Sequence, residues 1–74
     1  MDAHRMHDAL VQIQMEYREM PDLKLTLAQA RRLFAMPAEL CEQALEALVR
    51  SGFLRRTSDG AFLRLSPDAA RTGY

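Results

Sequence analysis

The chain has 74 residues, 49% of them hydrophobic, and ten basic against ten acidic side chains, so its net charge at neutral pH is zero. This length allows one domain at most, the single Cys41 excludes an internal disulfide, and no apolar run is long enough to span a membrane. A domain this small buries only about 60% of its unfolded surface, and oligomerisation is the remaining source of extra burial. One cysteine and no secretory signal pattern together predict a reducing, cytoplasmic compartment.

In chain order, residues 2–20 read as a first helix. Ala3, Met6, Leu10, Ile13, Tyr17 and Met20 recur at alternating steps of three and four, and Pro21 ends the pattern. Val11 and Met15 stand i, i+4 on the opposite side, a second apolar ridge that predicts a homodimer contact. "PDLKL" is a connector whose Leu23 and Leu25 alternate, so that it can add a short strand. Thr26 opens a second helix over 26–35. Its hydroxyl and Gln29 three residues later form a capping box, with Ala30, Leu33 and Phe34 on one face. Met36-Pro37 interrupts that helix, because a residue before proline avoids helical dihedrals.

A third helix follows over 37–51. Leu40, Cys41, Ala44, Leu45 and Leu48 fall on one side, and Glu39, Glu42, Gln43, Glu46 and Arg50 on the other. Gly52 supplies the left-handed stop. Residues 53–65 read as a hairpin about Asp59-Gly60, a strong two-residue turn signal. That turn predicts residues 54–57 paired with 62–65, Arg55 opposite Arg64 and Leu54 opposite Leu65. Opposed like charges weaken a hairpin, and a bound anion would relieve the repulsion. Residues 66–74 lack apolar periodicity and are expected to form a flexible tail.

The run "LTLAQARRLFAMPAELCEQALEALVRSGFLRRTSDGAFLRL", residues 25–65, resembles the winged helix-turn-helix family. The resemblance rests most on "ALEALVRSGFLRR…DG" and covers about the last two-thirds of the ordered chain. It implies a mainly α domain over residues 1–65, three helices plus a two- or three-stranded wing. The helix at 37–51 would be the recognition helix and 53–65 the wing.

The predicted function is that of a small DNA-binding protein, a transcriptional regulator acting on double-stranded DNA as a homodimer. Arg55, Arg56 and Arg64 on the wing would contact phosphates, with Arg31 and Arg32 in support, and the Gln43 amide could pair with adenine. The alternative is a protein-interaction module. Three of the groove-facing positions, Glu39, Glu42 and Glu46, are acidic and would dock a basic protein partner while repelling a polyanion. No enzyme activity is expected, because no nucleophile or oxyanion donor accompanies the carboxylates. His4 and His7 lie one turn apart without a third ligand at metal spacing, so neither metal nor cofactor is expected.

Overall fold

A computed structural model describes residues 3–65 as three helices and a three-stranded antiparallel sheet. The tail expected over 66–74 lies outside the described residues. The elements run α1 (Ala3–Glu19), β1 (Lys24–Thr26), α2 (Leu27–Phe34), α3 (Ala38–Arg50), β2 (Leu54–Arg56) and β3 (Ala61–Arg64). The sheet order is β1-β3-β2, so the last strand is the central one.

Each boundary has a local cause. The capping box at α2 forms as read: Thr26 Oγ1 accepts from Gln29 N at 3.2 Å, and Thr26 N donates to Gln29 Oε1 at 2.9 Å. This helix ends at Ala35, whose φ of 52° is left-handed, and Met36 N returns to Arg31 O at 3.3 Å. Pro37 caps α3 from outside the first turn. At its far end Gly52, at φ 88°, closes a Schellman motif. Gly52 N donates to Val49 O at 3.1 Å and Phe53 N to Leu48 O at 3.0 Å. That turn swings the chain straight into β2.

The core lies between the inner sheet face and the helices. It joins Ala9, Ile13 and Tyr17 of α1, Ala30 and Phe34 of α2, all five predicted apolar positions of α3, and Leu25, Leu54 and Phe62 of the sheet. Three expectations need correction. Ala3 is exposed and Met20 is 45% exposed, while Ala9 takes a core position, so the buried stripe of α1 is shorter than the apolar spacing suggested. Leu33 is 48% exposed, because α2 turns only Ala30 and Phe34 fully inward.

The third correction is the hairpin register, which differs by one residue. Arg56 pairs with Phe62, Arg55 with Leu63 and Leu54 with Arg64. The loop is Ser58-Asp59-Gly60 rather than Asp59-Gly60 alone: Thr57 N donates to Ala61 O at 2.8 Å, and Gly60 N to Thr57 O at 3.1 Å. Gly60 at φ 86° takes the left-handed position that follows a type I turn in a three-residue loop. The core selects this register. A one-residue slip moves one strand's side chains to the other face, and only the observed pairing buries Leu54 and Phe62 on the same face as Leu25.

Candidate nucleic-acid interface

The register decides where the basic side chains go. Directly opposed residues share a sheet face and successive residues alternate. Leu54, Arg56, Phe62, Arg64 and Leu25 therefore belong to the inner face, and Lys24, Arg55 and Leu63 to the outer one. Arg55 and Arg64 are not opposed; they stand on different faces, and the predicted repulsion between them is removed.

On the inner side the arginines sit at the rim of the core. Arg56 extends to α3, where its Nη2 lies 3.5 Å from Glu46 Oε2, and Arg50 Nη2 reaches the other oxygen of Glu46 at 3.9 Å. Glu46 is thus flanked by two guanidiniums at the end of a helix face otherwise carrying Glu39 and Glu42. Arg56 also covers the Phe62 ring at 5.1 Å. Arg64 lies 5.0 Å from the centroid of Phe53, and Arg18, from the last turn of α1, lies 5.9 Å from the same centroid. Exposed cation–π contacts of this kind contribute about 0.5–1 kcal/mol each. Arg18 is steadied by Gln14 Oε1 at 3.5 Å. Surface ion pairs such as those of Glu46 contribute about 0–1 kcal/mol, so their main effect is to orient the side chains.

At the loop, the Thr57 hydroxyl donates to the Asp59 carboxylate, and Lys24 Nζ lies 3.6 Å from Asp59 Oδ2. The hydroxyl first, and the Lys24 ammonium second, hold the Asp59 carboxyl below its usual pKa. The outer face consequently carries a compensated Lys24 beside an exposed Arg55 that has no carboxylate partner among the described residues.

The remaining candidates stand elsewhere. Arg31 and Arg32 are exposed on α2 and, with Ala28, Ala35 and Met36, line a hollow of about 330 Å³. The Arg31 charge favours the Cys41 thiolate, but burial outweighs it and pushes the thiol pKa up. Glu39, Glu42 and Gln43 are exposed on the first half of α3, and neither glutamate has an ion-pair partner among the described residues. Val11 and Met15 are 42% and 54% exposed on the solvent side of α1. Among the described residues the buried core contains no polar or charged side chain apart from the Tyr17 hydroxyl.

Four residues of this surface were not among the sites expected from the sequence: Lys24, Arg50, Arg18 and Phe53. Arg50 was legible in principle as the i+4 partner of Glu46. Nothing local could have paired Arg18 with Phe53, which meet only through the tertiary fold. Comparison with known proteins returned no matching family model, no similar curated protein and no similar solved structure.

Proposed function

We propose that the chain is a winged helix-turn-helix domain that binds double-stranded DNA mainly through backbone phosphates, as a small regulator of transcription. The element order, with β2–β3 as the wing and α3 as the recognition helix, supports the family reading. The observation that carries the DNA reading is the charge around the wing. Lys24, Arg50, Arg55, Arg56 and Arg64 stand on and beside it, spread over both sheet faces, against Glu46 and Asp59 among the described residues. A local excess of positive charge attracts a duplex even when the net charge of the chain is zero. Arg31 and Arg32 add phosphate contacts from α2. Gln43 is the residue on α3 best suited to a base edge. Because Glu39 and Glu42 flank it, sequence readout is weak. The domain acts by binding rather than catalysis and without a cofactor, and it works as a homodimer through the Val11 and Met15 ridge.

The second reading, a protein-interaction module, is favoured by one observation: Glu39 and Glu42 stand exposed on α3 without a cation partner among the described residues. A salt series of duplex titrations separates the two. Under the DNA reading log K falls with log salt by about 0.9 for each phosphate neutralised, and about three to five contacts per subunit are expected. Arg55→Ala lowers that slope by about one contact. Glu46→Gln tightens binding, because it removes a carboxylate and releases Arg50 and Arg56. Negligible affinity for any duplex at about 50 mM salt, where such contacts are strongest, rejects the DNA reading in favour of the protein module.

A further inference from the structure

We propose that Arg18, Phe53 and Arg64 form a second phosphate contact, at the C-terminal end of α1, that extends the duplex footprint from the hairpin to the first helix. This inference rests on the DNA reading above and adds to it an element, α1, that the hairpin and α3 do not include.

Two guanidiniums from opposite ends of the described chain face one phenyl ring, Arg64 at 5.0 Å and Arg18 at 5.9 Å from its centroid. Neither has a carboxylate within ion-pair distance among the described residues, whereas Arg50 and Arg56 share Glu46. The dipole of α1 accounts for a cation on its last turn. It does not account for a second cation on the same ring. Like charges gathered without a counter-charge are costly unless an anion completes them, and a phosphodiester backbone presents anions at regular spacing along its strand. Planar, weakly hydrated guanidiniums are the side chains suited to that role.

The placement is held by the fold. The Tyr17 hydroxyl, from the residue before Arg18, donates to Phe62 O at 2.8 Å, two residues before Arg64. Leu65 N donates to Phe53 O at 3.0 Å, which fixes Phe53 across from the residue after Arg64. Phe53 in turn is set by the Schellman turn, through its N–H to Leu48 O. Phe53 is therefore held by hydrogen bonds of its own backbone, Arg64 by one at the next residue, and Arg18 through the buried side chain of the residue before it. Contact with the ring restricts both arginines, which lowers the entropy lost when they engage a phosphate.

The test uses one duplex of arbitrary sequence, the full chain, and fluorescence anisotropy over a salt series. Wild type is compared with Arg18→Ala, Arg64→Ala, the double variant, Arg18→Lys and Arg55→Ala. We expect Arg18→Ala and Arg64→Ala each to lower the salt slope by about 0.9, and the double variant by about twice that. Arg18→Lys keeps the slope, because the charge remains, and thermal melts confirm that each variant is folded. A residue that only packs on Phe53 would change the melting temperature and leave the slope alone. The inference is overturned if Arg18→Ala retains the wild-type slope while Arg55→Ala lowers it, which leaves the DNA reading standing. If wild type shows no salt-dependent binding, the DNA reading fails and the contact at α1 falls with it. Should Arg18→Ala be unfolded, Arg18→Gln takes its place and is read against the same two outcomes.

Discussion

Tyr17 joins the first helix to the last described strand. Its ring is fully buried and its hydroxyl donates to the Phe62 carbonyl. Burial first, and the neighbouring Cys41 second, push its pKa from the ordinary 10 to about 12. Between those values an unfolded tyrosine ionises while Tyr17 keeps its proton. The native state then holds more protons than the unfolded one, so the contribution of Tyr17 to stability is complete below about pH 10 and falls as pH rises through that window. The raised thiol pKa of Cys41 acts with the same sign from lower alkaline pH. Tyr17→Phe is expected to cost about 1 kcal/mol near neutral pH, the net worth of one hydrogen bond. The variant should also lose less stability than wild type between about pH 8 and about pH 11, since its buried ring has no proton to give up. Urea unfolding at the two pH values measures both effects, and equal alkaline losses in the two proteins would remove Tyr17 as the cause.

The elements are delimited by residues whose conformations can be exchanged. Gly52 and Ala35 both occupy left-handed positions at helix ends, one with the residue suited to it and one without. A left-handed non-glycine residue carries a penalty of about 1–2 kcal/mol, and glycine gives back about 0.5–1 kcal/mol as unfolded-state entropy. Ala35→Gly should therefore raise stability by up to about 1 kcal/mol. Gly52→Ala should lower it by about 1 kcal/mol through backbone strain alone, because an added Cβ meets nothing within 4 Å. Paired denaturant midpoints would show the two changes moving in opposite directions.

These same ends mark what was legible. The capping box, the break at Met36-Pro37, the buried face of α3 and the glycine stop were readable because each depends on neighbours within a few residues. The hairpin register was not. Asp59-Gly60 fits a two-residue turn and also the last two positions of a three-residue loop, and only the burial of Phe62 beside Leu54 separates them. The candidate site inherited that ambiguity. Arg55 and Arg64 do lie on the two strands of the hairpin, but the opposed position assigned to them is taken away by the slip, and Arg18 entered only through contact across the fold.

At the scale of the molecule the core is small, and α1 is apolar on two sides. Ala9, Ile13 and Tyr17 face inward, while Val11 and Met15 remain 42% and 54% exposed. Burying such a ridge against a second copy would recover about 25 cal/mol for each Å² of apolar surface covered. Sedimentation of the wild type should show a homodimer, and Val11→Glu with Met15→Glu should give folded monomers. A wild type that stays monomeric at high micromolar concentration would leave the ridge as ordinary surface. The sheet order carries a different consequence, one of timing. β3 is the last of the described strands to leave the ribosome, yet it is the partner of both β1 and β2. Until residues 61–64 emerge, β1 can wait only beside the capped α2, and β2 only at the end of α3. Neither has an edge to pair with, so the sheet cannot be assembled piecemeal from its N-terminal side. The β2–β3 pairing is local, whereas residues 61–63 meet Lys24, Leu25 and Thr26 across a stretch of chain that contains two helices. A ribosome stalled before that point would display a helical chain with two unpartnered strands, a state open to capture by a chaperone or a protease.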